Sequence, residues 1–288
     1  MKSTEFVKIS NSSVTYIVII LTVTSFLANP SSLVHLLILV PLIVSVYLMS
    51  MSAVLFNNIY DRDIDGSMPR TSFRIPIVRE NISQLEFTAI LSLTVGLLVA
   101  FIFINYISAI FMFFGFLSYA VLYTIFLKRK TSLNIVIGGI AGSFASISGW
   151  MAPSIEFSLQ PILIALFVFA WMSLHFLVFS LVHNDEYKGT DLPMLPVKSG
   201  TRKAIQIISL NSGLVLVISS LPVLLRSGLS LLFYLLVTVL MGAILVVFTI
   251  RLNIGSISER SAEKLLNYSV LYLLIMLLSF GFTNAVMR

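Results

Sequence analysis

Apolar runs of about twenty residues recur along the whole of this 288-residue chain, and they constrain its fold more than any other feature. A helix rises 1.5 Å per residue, so a run of about twenty residues spans the roughly 30 Å hydrocarbon layer of a bilayer. Nine such spans are expected, at roughly 14–28, 33–56, 87–104, 107–127, 135–152, 160–182, 204–225, 229–250 and 265–286. With 58% hydrophobic and only 10% charged residues, a soluble globular domain is excluded. Residues 1–13 are polar and the run after them lacks a small-residue cleavage pattern, so it reads as a first span and not as a signal peptide. There is no cysteine, which excludes disulfides, iron–sulfur ligation and thiol catalysis.

The connections alternate between short ones and long, charged ones. Sixteen of the eighteen Lys and Arg fall in the N-terminus and in the segments 57–86, 128–134, 183–203 and 251–264; Arg226 and Arg288 are the exceptions. Lys and Arg concentrate in cytoplasmic loops, which places the N-terminus and these segments inside and the C-terminus outside. The net charge of +6 thus reflects topology and phosphate binding. No basic–aromatic interleaving points to nucleic acid. One acidic loop follows the second span and another follows the sixth. That echo suits two four-helix halves plus a ninth helix, in one domain over residues 1–288.

Chemistry concentrates where the second span ends. Three carboxylates and three guanidiniums arrive within residues 61–74, after an apolar run without Asp, Glu, Lys or Arg. If the helix continues through Asn57, then Asn57, Asp61 and Asp65 form one stripe of oxygen donors, because residues four apart share a face. Clustered hard oxygens suit Mg²⁺, whose shell substrate phosphates usually complete. Arg70 and Arg74 then read as phosphate partners, since a guanidinium grips phosphate oxygens bidentately. A solvated loop of mixed charge is the plainer reading; the regular spacing at a helix end favours the metal site.

In the second acidic loop Asp185 and Glu186 are the metal candidates. Asp191 stands six residues on, beyond Gly189, where a helix would already have ended. Lys128-Arg129-Lys130 reads both as a topology determinant and as a cationic clamp on a diphosphate. Gly138, Gly142 and Ser146, like Ala141, Ala145 and Gly149, recur every four residues, a spacing that lets helices approach closely in lipid. His175 is a rare ionisable group within a span: it either faces a site or hydrogen-bonds a neighbouring helix.

Together these residues resemble the intramembrane aromatic prenyltransferases of the UbiA type, whose first signature, Asn-x-x-x-Asp-x-x-x-Asp, is matched by Asn57, Asp61 and Asp65. Three stretches are similar to one branch, the protoheme IX farnesyltransferases (haem O synthases). They are Asn57 to Arg74; Tyr123 to Thr131 continuing through Gly138-Gly139 to Gly149-Trp150; and Trp171 to Phe176 with Asp185-Glu186-Tyr187 and Pro193-Met194-Leu195-Pro196. The branch has Trp-x-Pro-Pro-His-Phe where this chain has Trp171-Met-Ser-Leu-His-Phe176, its Arg-Pro is interrupted here as Arg74-Ile75-Pro76, and its Lys-Pro before the first span is missing.

The resemblance implies an all-α bundle of nine transmembrane helices around a central cavity open to the cytoplasmic side, in the cell membrane. It implies transfer of a farnesyl group from farnesyl diphosphate to a vinyl group of haem B, giving haem O. Asn57, Asp61, Asp65 and Asp185 would hold Mg²⁺, and Arg70, Lys128 and Arg129 would neutralise the leaving diphosphate. Arg74 and Tyr187 would contact substrate. Tyr60, Tyr119 and Tyr123 would offer aromatic faces to the allylic cation, and His175 would contact the porphyrin. Membrane lipid surrounds such an enzyme, and proteins that assemble terminal oxidases would be its partners. The alternatives are a related enzyme acting on a quinone precursor or a glycerol-phosphate lipid and, from another class, a transporter or a non-catalytic binding protein. Transporter sites tend to lie near the midplane, whereas these acids gather at one face.

Overall fold

A computed structural model describes residues 1, 3–10, 13–225, 227–254 and 259–285. Lys2, Arg226 and Arg288, on which part of the expected orientation rests, lie outside the described residues. Among the described residues all regular structure is helical: α1 (Ser3–Ser10), α2 (Ser13–Ala28), α3 (Leu39–Tyr60), α4 (Arg74–Glu80), α5 (Ile82–Phe103), α6 (Tyr106–Phe116), α7 (Asn134–Gly138), α8 (Ile140–Met151), α9 (Leu159–Val182), α10 (Asn184–Lys188), α11 (Leu195–Ser199), α12 (Thr201–Ser220), α13 (Gly228–Ile254) and α14 (Glu259–Ala285). From α6 the chain runs straight on as a π-helix, Leu117–Leu127. Among the described residues eight helical stretches are long and apolar enough to cross a membrane, and a ninth results if α1 and α2 count as one bent span. The weak member is α2, whose 16 residues reach only about 24 Å.

Packing in lipid relies on close backbone approach and hydroxyl hydrogen bonds, because the surrounding tails are as apolar as leucine. The seam between α3 and α5 shows both. Ser45 Oγ donates to the Gly96 carbonyl at 2.6 Å, and Ser52 Oγ to the Ala89 carbonyl at 2.7 Å. Where α8 meets α2, a Cβ on Gly149 would stand 2.1 Å from the Thr22 carbonyl oxygen, so only glycine fits. The expected span at 135–152 is broken at Gly139, between α7 and α8.

The end of the bundle away from the charged loops is closed by asparagines that satisfy carbonyls at helix ends. Asn29 Nδ2 donates to the Trp150 carbonyl at 2.8 Å, Asn105 Nδ2 to the Met151 carbonyl at 2.8 Å, and Asn284 Nδ2 to the Ala28 carbonyl at 3.1 Å. Between α2, α3, α6, the π-helix, α7, α8 and α9 lies an apolar cavity. It holds about 940 Å³ of empty space, counted with the solvent at its opening. Its walls include Met49, Ala53, Met112, Phe116, Met172 and Phe176.

Candidate active site

The helix α3 ends at Tyr60, yet the spacing of four survives its end. The Asp61 amide donates to the Asn57 carbonyl at 2.9 Å, and the Asp65 amide to the Asp61 carbonyl at 2.9 Å. The turn therefore continues the helical rise far enough to keep the three side chains together. All three are buried, Asp61 completely. A buried charge needs partners or it titrates away. Asp61 receives Asn57 Nδ2 at 2.7 Å and pairs with Lys128 Nζ, and Arg129 Nη2 stands 3.5 Å from its other oxygen. Arg74 Nη1 lies 3.6 Å from Asp65 Oδ2 and donates to Asn58 Oδ1 at 3.0 Å.

The π-helix delivers the cation. Its hydrogen bonds run from residue i to i+5; the Lys128 amide, for one, donates to the Tyr123 carbonyl at 2.9 Å. The wider turn brings Tyr119, Tyr123 and Lys128 onto one side, which an α-helix would not do for positions four and then five apart. Thr124, which the sequence reading misses, accepts from Asn57 Nδ2 at 3.2 Å and itself donates to the Tyr119 carbonyl at 2.8 Å. Tyr119 and Tyr123 stack at 5.7 Å and line the cavity. A Cβ on Gly138 would come 2.9 Å from Tyr123 Cδ2, so that ring needs a glycine beneath it. Gly138, Ala141, Gly142 and Ala145 also face the cavity, while Gly149 serves packing. The small-residue repeat thus has both roles.

Electrostatics follow from this geometry. Burial raises the Asp65 carboxyl above its ordinary value, although Arg74 and Lys128 pull it down. Burial works against the Lys128 ammonium, but Asp61 beside it more than offsets that and raises it. Arg129 clasps Asp63 with two bonds of 2.7 Å, which lowers that carboxyl, and lies 4.9 Å over the Tyr60 ring. Tyr60 thus serves Arg129 and does not line the cavity.

The second acidic loop docks on the first. Neighbouring residues on α10 point about 100° apart, so only one of its two acids can face inward. That one is Glu186, 3.4 Å from Arg70 Nε and 3.4 Å from His183 Nδ1. Asp185, expected to bind metal, has a side chain 92% exposed and pairs with Lys188 at 2.7 Å. Tyr187 is buried beside Arg70; burial raises its phenol, while Arg70 and Lys128 draw it down. His175 stays out of the cavity wall: its Nδ1 is 2.8 Å from Ser269 Oγ and its ring stacks on Trp171 at 4.9 Å, which joins α9 to α14.

Two buried oxygens of the first acidic group, Asp61 Oδ1 and Asp65 Oδ2, accept no hydrogen bond. Buried carboxylate oxygens that accept no hydrogen bond, with only guanidinium nitrogens 3.5 and 3.6 Å away, fit a hard cation that takes the rest of its shell from phosphate. Among the described residues no three His, Cys, Asp or Glu side chains converge, so the chain offers a pair of carboxylates and not a full protein cage.

The sequence pattern of the UbiA prenyltransferase family matches residues 18–281. The chain belongs to this family. Among its UbiA relatives, a protein named protoheme IX farnesyltransferase 2 from Picrophilus torridus is 37% identical over 280 residues, covering 96% of each chain. Protoheme IX farnesyltransferase of Alcanivorax borkumensis is 34% identical over 266 residues, covering 89% of this chain and 86% of that one. The fold is that of solved UbiA structures. A digeranylgeranylglyceryl phosphate synthase superposes with a TM-score of 0.77 at 17% identity over 98% of both chains. A UbiA homologue from Archaeoglobus fulgidus, bound to GPP and Mg²⁺, gives 0.66 at 16% identity, covering 97% of this chain and 99% of that one. This is therefore a multi-pass membrane protein, as the apolar spans imply.

Proposed function

We propose that the protein transfers the farnesyl group of farnesyl diphosphate to a vinyl group of haem B, giving haem O. One observation carries the chemistry: a buried, cation-flanked pair of carboxylates, two of whose oxygens accept no hydrogen bond, is joined through Asn57 and Thr124 to the π-helix whose Tyr119 and Tyr123 line an apolar cavity. Full-length similarity to proteins named protoheme IX farnesyltransferase supports the haem acceptor.

Asp61 and Asp65, with Asn57 beside them, would hold Mg²⁺ against the diphosphate. A bound Mg²⁺ supplies positive charge to the leaving group. Lys128 and Arg74 stand at the two carboxylates, and Arg70, farther along the same loop, reaches Glu186 on the facing one; all three would neutralise the leaving oxygens. Arg129 steadies the same edge through Asp63. The isoprenoid tail would lie along Met49, Ala53, Met112 and Phe116. The faces of Tyr119 and Tyr123 would stabilise the allylic cation by cation–π attraction, and the dry walls keep water from it. Tyr187 and Arg70 would meet the acceptor at the opening. Asp185 has no part in this scheme, and His175 supports it only through packing. The charged loops would face the cytoplasm, where the bias in Lys and Arg places them.

The test is incubation of purified protein with haem B, farnesyl diphosphate and Mg²⁺, with the porphyrin product identified by mass. A farnesylated haem that disappears on chelation of the metal is expected. Unmodified haem alongside metal-dependent release of diphosphate would shift the acceptor to a quinone precursor or lipid.

A further inference from the structure

Asn57 belongs to the stripe of oxygen donors, whereas its neighbour Asn58 points about 100° away around α3. Asn58 is 1% exposed. Its Nδ2 donates to the Ile9 carbonyl at 2.8 Å, and its Oδ1 accepts from Arg74 Nη1 at 3.0 Å. A carbonyl only accepts and a guanidinium only donates, so the amide stands in the one orientation that serves both. We propose that Asn58 is a positioning residue of the metal site: it holds Arg74 just off Asp65, and α1 fixes Asn58 from behind. The inference rests on the metal reading given above.

Arg74 opens α4, and among the described residues its guanidinium makes a single hydrogen bond, the one to Asn58. It stands 3.6 Å from Asp65 Oδ2, near enough for Coulomb attraction and too far for a hydrogen bond. Asp65 Oδ2 accordingly accepts no hydrogen bond, although it is buried. A guanidinium without a tether would close that gap, since charge-assisted bonds to carboxylate form at about 2.7–2.9 Å. It would then occupy an oxygen that a hard cation needs. Asn58 sets the balance: Arg74 stays close enough to attract a diphosphate, and Asp65 stays open to the metal.

The fixed point is α1. Ile9 lies in its last turn, where carbonyls have no partner within the helix. Asn58 satisfies one of them. The Ile9 side chain is buried in one cluster with Met51, Leu55 and Ile59 of α3, which seats α1 firmly. The N-terminal helix thus reaches the metal site through a single amide, in the order Ile9, Asn58, Arg74, Asp65. Only a carboxamide offers both the donor and the acceptor that this order needs; a carboxylate offers the acceptor alone, and an alkyl group neither.

The experiment measures binding of Mn²⁺ alone, from the EPR signal of the free ion, to full-length wild type, Asn58→Leu, Asn58→Asp and the double variant Asn58→Leu/Arg74→Gln. Thermal unfolding and the Mg²⁺ dependence of diphosphate release are recorded on each. Partners behind metal ligands are worth roughly 10–100-fold in affinity, so Asn58→Leu should bind Mn²⁺ at least about tenfold more weakly. The double variant should regain most of that loss, because the competing guanidinium is gone. Asn58→Asp keeps an acceptor for Arg74 and loses only the donor to Ile9. Its thermal midpoint should fall while its Mn²⁺ affinity stays at or above that of wild type. Unchanged affinity in Asn58→Leu overturns the proposal. So do affinity losses that follow the thermal midpoint across all three variants, since Asn58 would then do no more than cap α1. Wild type that binds no Mn²⁺ overturns the premise of an open Asp65; if it also releases diphosphate without Mg²⁺, the metal reading itself falls.

Discussion

Asp61 is fully buried and meets an amide, an ammonium and a guanidinium, so its removal acts on folding as well as on chemistry. Asp61→Ala leaves Lys128 buried without its counter-ion, which costs about 3–5 kcal/mol. Asp65 has one ionic partner at 3.6 Å, and burial already disfavours its charge. Asp65→Ala should therefore keep the thermal midpoint near that of wild type while transfer falls at least about 10²-fold for want of a metal ligand. Thermal unfolding in detergent, run beside the transfer assay, separates the two, and equal midpoint losses in both variants would contradict this partition. The residue types of the site are legible in the sequence, because Asn57, Asp61 and Asp65 declare their spacing. Side-chain direction is not: Asp185 and Glu186 are neighbours, and a shift of one residue in the start of α10 decides which faces in. His175 is a second case, since its residue type suggests a site while the structure gives it to Ser269. His175→Ala should cost about 2–4 kcal/mol, since it removes both the hydrogen bond to Ser269 and the buried ring packed on Trp171. It should lower haem and farnesyl diphosphate binding alike, and selective loss of haem binding in paired titrations would restore the porphyrin role.

Among the elements, the π-helix Leu117–Leu127 contributes most to the site and is the hardest to see in the sequence. Apolar residues fill it, so an α-helix and a π-helix read the same, and only the joint position of Tyr119, Tyr123 and Lys128 distinguishes them. Its hydroxyl anchor is Thr124, which bonds five residues back to Tyr119 and receives Asn57. Thr124→Val keeps the shape and removes both bonds. The expected result is a stability loss of about 1–2 kcal/mol and at least a tenfold drop in transfer, because Asn57 and Lys128 lose their register together. Full activity in this variant would show that the row of side chains does not depend on the hydroxyl. Spans and small-residue seams are easier to read, while the break at Gly139 is not, since 135–152 reads as one continuous span. A glycine every four residues announces close approach, although it does not say that Gly138 meets a tyrosine ring and Gly149 a backbone carbonyl.

On the scale of the whole molecule, three charged loops that are far apart in sequence come together at one end. Arg129 ties the 128–134 segment to Asp63, and Arg70 ties the first loop to Glu186 in the second. That convergence cannot be read along the chain, since it depends on how the helices are arranged around the cavity. The proposed side of the membrane, in contrast, rests on the sequence: Lys and Arg avoid one set of connections, and such residues concentrate in cytoplasmic loops. The chain lacks cysteine, so single introduced thiols report sidedness without background. Lys198 is exposed in the second acidic loop and Glu156 is exposed in the short connection between α8 and α9 at the opposite end. With a membrane-impermeant maleimide on intact cells, Glu156→Cys should label at once. Lys198→Cys should label only after the membrane is opened. The reverse pattern would place the diphosphate site on the outer face, away from cytoplasmic farnesyl diphosphate, and the proposed reaction could not proceed in the cell. Equal labelling of both in intact cells would instead mean that the protein inserts in two orientations, so that only the fraction with Lys198 inside would carry out transfer.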